Sequence, residues 1–150
     1  MNIYQAGLED LNDLAHLFDG YRVFYEQESD MEAAKAFLRD RIEKEESVIF
    51  ISRNEGGQAT GFTQLYPLFS STRMKRLWVL NDLYVAPEFR GMGFSKALIE
   101  RAKQLCKDTV AAGMYLETAK KNHIGNQLYP RTGWTLDEEH NYYFWESSRW

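Results

Sequence analysis

The stretch Leu83-Tyr84-Val85-Ala86-Pro87-Glu88-Phe89-Arg90-Gly91-Met92-Gly93-Phe94-Ser95-Lys96-Ala97-Leu98 constrains this chain more than any other. A run rich in β-formers, Arg76 to Val85, stops at Ala86-Pro87, where proline offers no N–H to continue a ladder or a helix. Two glycines then bracket Met92, and from Phe94 onward Phe94, Ala97, Leu98, Arg101, Ala102 and Leu105 recur on one face of a helix. A strand that passes through a glycine turn into an amphipathic helix must pack that helix back onto a sheet, which commits the chain to the α/β classes. Glycines let the backbone approach an anion closely, and the free amides at a helix start, with their partial positive charge, hold phosphate oxygens. An ordinary strand-to-helix turn with glycines for packing has the same local pattern. It is not a Walker A loop, because no Lys-Ser/Thr pair follows Gly93, and the glycine spacing is not that of a dinucleotide fingerprint. The pyrophosphate of another carrier fits better.

The rest of the chain shows no repeat, low-complexity tract or linker, so we read residues 1–150 as one domain. Ile3 to Gln5 is a short strand. Leu11, Leu14, Ala15, Phe18, Tyr21 and Tyr25 follow with helical spacing. Ser29-Asp30-Met31-Glu32 reads as a capping box opening a second helix that turns Met31, Ala34, Leu38 and Ile42 inward. Ser47–Ser52 is a buried strand, Glu55-Gly56-Gly57 a turn, and about Thr60 to Phe69 a second strand. After the long helix, which Gly113 ends, come a strand at Met114–Thr118, a short helix from Asn122 to about Tyr129, and a final aromatic strand at Tyr142-Tyr143-Phe144-Trp145. The order β-α-α-β-β-β-α-β-α-β-β predicts a mixed α/β sheet with helices on both faces.

Composition narrows the function classes. A net charge of −4 lacks the clustered Lys and Arg that a phosphate backbone selects, so no nucleic-acid partner is expected. No apolar run approaches the ~20 residues that span a bilayer, and the N-terminus has no signal-peptide pattern, so no membrane association is expected. A single cysteine, Cys106, excludes an internal disulfide and fits a reducing, cytoplasmic setting. His16, His123 and His140 lack metal-ligand spacing, and no metal is expected. The aromatic content of 15% exceeds what a small core needs, which places some rings along a cleft.

Arg90, Gly91, Met92, Gly93, Phe94 and Ser95 resemble motif A of the GNAT N-acetyltransferases, Gln/Arg-x-x-Gly-x-Gly/Ala, with Ser95 in place of the final small residue. Asn122, Leu128-Tyr129 and Gly133-Trp134 resemble the downstream Asn…Leu-Tyr…Gly-Phe segment, so the resemblance covers nearly the whole chain. It implies a GNAT-like fold, mostly antiparallel with a splayed central parallel pair, and acetyl-CoA as donor. The resemblance assigns Leu83, Tyr84 and Val85 to the pantetheine arm and Arg90 to Ser95 with Lys96 to the pyrophosphate. Asn122 is assigned to the pantetheine or phosphate region, with Asn126 assisting, although Asn122 reads equally as a helix N-cap. Tyr129 occupies the general-acid position, or else is a packing ring, and Pro130 directly after it is expected to bend or stop the helix. The oxyanion donor is a backbone amide of the splayed strand, at Leu83.

The base is read from Asn81-Asp82. Strand alternation sends these side chains to opposite faces unless a bulge intervenes. Diamine acetyltransferases resemble this region but carry an acidic pair; here Asn81 cannot accept a proton. Asp82 is the carboxylate candidate, holding a substrate ammonium or ordering a water, or it is a ladder residue bonded to its neighbours. Tyr21, Phe24, Tyr25 and Glu26, with Asn81 and Asp82, are the expected acceptor contacts, since rings and carboxylates suit an ammonium. Arg22 keeps a carboxylate-bearing acceptor open. Asp137-Glu138-Glu139 adds negative charge in a hairpin turn. These readings give direct acetyl transfer to the primary amine of a small cationic or amino-acid-like molecule. The alternatives are a protein Lys or N-terminal acetyltransferase and a non-catalytic acyl-CoA sensor. The unalternating rings of Tyr142–Trp145 predict a homodimer.

Overall fold

A computed structural model describes residues 1–148. The chain divides into two compact units, Met1–Glu117 and a second from Thr118 onward. In the first unit, β1 (Asn2–Gln5), β2 (Val48–Arg53), β3 (Ala59–Ser70), β4 (Lys75–Val85) and β5 (Met114–Tyr115) form one sheet in the order β1-β2-β3-β4-β5. All neighbours are antiparallel except β4 and β5, which run parallel. The mixed sheet is the one expected. α1 (Leu11–Phe24) and α2 (Met31–Glu43) bury Leu14, Leu17, Phe18, Ala34 and Leu38 against Ile49, Ile51 and Phe62. Because side chains alternate along β2, Phe50 faces the other way, under the Arg101 guanidinium of α3 (Phe94–Asp108).

Several local readings change. Asp30, not Ser29, caps α2, its side chain accepting from the Ala33 amide at 3.1 Å. Ser29 instead donates to Asp19 Oδ2 at 2.6 Å, while Asp19 Oδ1 accepts from the Asp30 amide at 2.8 Å. Buried Asp19 thus fixes the α1–α2 connection from within α1. Helix α3 ends at Asp108 with Thr109 as its cap, whose hydroxyl bonds the Leu105 carbonyl, so Gly113 lies beyond it. The strand expected over Met114–Thr118 shortens to Met114–Tyr115.

In the second unit, α4 (His123–Arg131) runs through Pro130 rather than stopping there. Pro130 falls in the last turn, so only one amide of the ladder is lost, and the Thr132 hydroxyl covers the Leu128 and Tyr129 carbonyls at 2.9 and 3.1 Å. The final aromatic strand does not form among the described residues: Tyr142 to Trp145 carry no strand pairing and are exposed. Aromatic residues favour strands only where a ladder partner receives them. The acidic turn closes on itself, Asp137 accepting from the Glu139 and His140 amides, the His140 ring and the Tyr142 hydroxyl. These contacts, the His140 hydrogen bond foremost, hold the Asp137 carboxyl down at about 2. Among the described residues no helix is long and apolar enough to cross a membrane.

Candidate active site

Cross-strand partners share a face of a sheet, and this places the acidic candidate. Gln64 pairs with Asp82 but Leu65 pairs with Leu80, so Asn81 is one extra residue on β4, a bulge. Adjacent Gln64 and Leu65 face opposite sides; therefore Leu80 points toward α3 and Asp82 toward α1. Without the bulge, Asp82 would follow Leu80. The bulge also brings the side chains of Asn81 and Asp82 together, Asn81 Nδ2 donating to Asp82 Oδ1 at 3.1 Å.

Asp82 is 4% exposed. Gln64 Nε2 donates to its Oδ2 at 2.6 Å, and the Tyr21 hydroxyl of α1, which donates to the Asn81 carbonyl at 3.3 Å, favours the ionised form from beside it. Burial dominates over these hydrogen bonds and raises the carboxyl above the usual carboxylate range. A buried carboxyl of raised affinity for protons is the state a general base needs.

The rings gather around it. Tyr21 lies 5.9 Å from Phe62, 6.2 Å from Tyr84 and 5.0 Å from Tyr25, centroid to centroid. A Cβ at Gly20 would stand 2.7 Å from the Tyr84 hydroxyl, so the mid-helix glycine of α1 makes room for that ring. Phe24 packs on Tyr25 and lies under the Arg90 guanidinium, 5.5 Å away, which also covers Tyr84. Tyr21, Tyr25, Phe24, Asn81, Asp82 and Tyr84 are therefore one cluster. Glu26 is not drawn into it: the residue is exposed, sits at φ 64° where the chain leaves α1, and makes no side-chain bond among the described residues. Arg22 donates to the Glu28 carbonyl at 3.0 Å and so holds the loop.

Beyond Val79, which pairs with Tyr115, no described strand covers the β5 side of β4. The Ala86 amide bonds Thr60 O on β3, so alternation turns the backbone of Leu83 and Val85 the other way, toward that open edge. Arg90 Nε bonds the Val85 carbonyl there at 2.9 Å, which sets the direction of the following turn. Gly91 and Gly93 adopt φ 76° and 88°, and a Cβ at either would meet nothing within 4 Å. Conformation rather than crowding requires glycine, and a side chain costs about 1–2 kcal/mol at each. The space beside them stays open to a ligand. Ala97 is the first residue of α3 whose amide turns inward, to Gly93 O at 3.1 Å, so the Phe94, Ser95 and Lys96 amides point out of the helix start with Met92 beside them.

In the second unit, Asn122 caps α4, accepting from the Gly125 amide at 3.1 Å while donating to Thr118 Oγ1 at 2.9 Å. Asn126 Nδ2 donates to the carbonyls of Ala119, Lys120 and Asn122. Both amides shape the loop before α4, whatever else they touch. The Tyr129 ring packs edge-on to Trp134 at 5.9 Å. Among the described residues no group of three His, Cys, Asp or Glu side chains gathers to hold a metal.

Residues 11–134 match the acetyltransferase (GNAT) family, and the chain belongs to it. It is 44% identical over 137 residues to the uncharacterized N-acetyltransferase YhfO of Bacillus subtilis, covering 91% of each chain. A probable acetyltransferase of Haemophilus influenzae is 32% identical across 82% of this chain and 84% of that one. The crystal structure of a probable acetyltransferase, 40% identical, superposes with a TM-score of 0.94 over 99% of both chains. The chain is thus an acetyltransferase with the fold its sequence predicts.

Sequence reasoning passed over Gln64, Gly20 and Phe62. A lone glycine between Asp19 and Tyr21 in a helical pattern was a readable signal for Gly20. The partners of Gln64 come from another strand, and no local pattern announces them.

Proposed function

We propose that this chain transfers acetyl from acetyl-CoA directly to the primary amine of a small cationic or amino-acid-like molecule. The buried Asp82 carboxyl, set among Tyr21, Tyr84 and Asn81 at the β4 bulge, carries this reading. Acetyl-CoA supplies an acetyl thioester whose thiol leaves. The residues present fit it: the outward backbone of Leu83 and Val85 suits the pantetheine amides, and the Arg90–Ser95 turn with Lys96 suits a pyrophosphate. The family resemblance assigns Asn122 and Asn126, which order the loop before α4, to the carrier as well.

A lysine-like amine, of pKa about 10.4, reaches the site protonated. The Tyr21, Phe24 and Tyr25 rings and the Asp82 charge attract it. Asp82 then accepts its proton, directly or through a water, and the neutral amine nitrogen bonds the thioester carbonyl carbon while the Leu83 N–H steadies the oxygen as negative charge develops. The C–S bond breaks, the nitrogen's second proton passes to water, and Tyr129, in the acid role the family resemblance gives it, protonates the departing thiolate. Tyr129→Phe should lower kcat about tenfold to a hundredfold with little change in CoA affinity; a collapse of CoA binding instead removes the proton-donor role.

The test is thiol release from acetyl-CoA against polyamines, amino acids and Lys peptides. Turnover with the small amines supports the reading, and its absence with every small amine overturns it. Phe24 and Tyr25 are 55% and 43% exposed, an open mouth that favours protein Lys or N-terminal amines as the second reading, decided by the peptides in the same panel.

The four exposed rings of Tyr142–Trp145, 72–92% accessible, support a homodimer built on this segment. Sedimentation equilibrium at micromolar concentration should return twice the chain mass; a single-chain mass dismisses the dimer. The buried, unpaired Cys106 fits work in the cytoplasm.

A further inference from the structure

Ser47 and Gln64 belong to no motif, yet they stand directly behind Asp82. Gln64 is 0% exposed in the middle of β3. Its Nε2 donates to Asp82 Oδ2 at 2.6 Å, and its Oε1 accepts from Ser47 Oγ at 2.8 Å. Leucine or valine would fill a strand interior at lower cost, because burying an amide forfeits its hydration unless both ends are paired.

The donor and acceptor inventory explains this choice. An ionised carboxylate only accepts, whereas a protonated carboxyl also donates; an amide has a donor at one end and an acceptor at the other; a hydroxyl does either. With Asp82 ionised, the chain runs Ser47 O–H to Gln64 Oε1 and Gln64 N–H to Asp82, as observed. With Asp82 protonated, the same three groups remain fully bonded if the amide turns over: Asp82 O–H donates to Gln64 Oε1, and Gln64 Nε2 donates to Ser47 Oγ. We propose that Gln64, oriented by Ser47, is the positioning residue for Asp82 and serves both of its protonation states by reversing its amide. A base that gains and loses a proton in each turnover inside a buried site is served by such a partner, since the new Asp82 O–H needs an acceptor and a fixed donor cannot be one. No proton passes along the chain, because an amide N–H is only a donor here.

The other groups facing Asp82 are the Tyr21 hydroxyl from α1, Asn81 on β4 and Tyr66 on β3. The Tyr66 phenol is pushed up to about 12 by burial and by the Asp82 charge, against the pull of Arg41 from α2, so it stays neutral while Asp82 titrates.

The inference rests on Asp82 being the proton acceptor, and the test separates the two. Carbon-13 carboxyl titration of Asp82 in the full chain, with the pH profile of kcat/KM, is measured for the native protein, Gln64→Met and Ser47→Ala. Gln64→Met should raise the Asp82 midpoint by about one pH unit, because the amide N–H bond to the ionised carboxylate is charge-assisted and stronger than the bond the reversed amide makes to the protonated carboxyl. Ser47→Ala should raise it less, since the donor remains but loses its anchor. The acid limb of kcat/KM should move with the midpoint. Midpoints unmoved in folded variants overturn the proposal, as a purely structural role lowers activity without moving them. A shifted midpoint with an unshifted acid limb upholds the Gln64 role and overturns Asp82 as the base. If Gln64→Met does not fold, half-buried Ser47→Ala decides, by the direction of its shift.

Discussion

Asp82→Asn should lower kcat/KM for the amine acceptor about a hundredfold or more, the scale of a positioned proton acceptor, while leaving the folded protein at least as stable at neutral pH. The second half of this expectation follows from the raised carboxyl. Burial makes the folded chain hold the Asp82 proton to higher pH than the unfolded chain does. Between the ordinary carboxylate range and the raised folded value, the native state binds more protons, so stability falls as pH rises through that window. Above it the cost of the buried charge is fully present. Asparagine keeps the shape and an acceptor for Gln64 but has no charge to bury, so this contribution to the pH slope disappears. Steady-state kinetics and thermal midpoints across pH check both halves. A variant that is inactive and also strongly destabilised at neutral pH would show that Asp82 serves folding, and the catalytic assignment would fall.

The glycine turn before α3 was legible because its geometry is local. Pro87 stops a strand, and Gly91 and Gly93 satisfy positive φ angles in the turn that starts α3; each acts within a few residues of itself. Asp82 was named from the sequence together with Tyr21 and Asn81, but the register that turns it inward and its Gln64 partner were not. The bulge at Asn81 is a register shift between β3 and β4, decided by how two strands pair, and it alone turns Asp82 toward α1. Gln64 joins Asp82 only through that register, and Ser47 joins Gln64 from the residue before β2. The reverse failure occurs at Tyr142–Trp145, where four β-forming rings read as a strand but have no described ladder partner. At α2 two adjacent capping residues competed. Asp30 won because Asp19 engages Ser29 from α1, a contact ten residues away in the chain.

Phe62→Ala should cost about 3–5 kcal/mol of stability and, for a chain of this size, lower the melting temperature by about 10 °C. Phe62 is 0% exposed on β3, and its ring meets Phe18 at 6.2 Å, Tyr21 at 5.9 Å and Tyr84 at 6.5 Å. It is at once core, packing α1 onto the sheet, and the floor beneath the two tyrosines beside Asp82. Truncation leaves a cavity under both, and each lost ring pair adds to the burial term. The variant should therefore raise KM for whichever amine the enzyme accepts, because Tyr21 and Tyr84 lose their backing. CoA affinity should change little, since the glycine turn at 90–93 takes its shape from its own backbone angles rather than from this ring. Phe62→Leu, which refills most of the volume, should recover most of the stability but less of the KM, because the edge-to-face contacts that orient Tyr21 need a ring. Calorimetry with amine and CoA titrations on both variants tests this division. Equal losses of amine and CoA affinity would show that Phe62 supports the whole sheet and has no particular tie to the acceptor mouth.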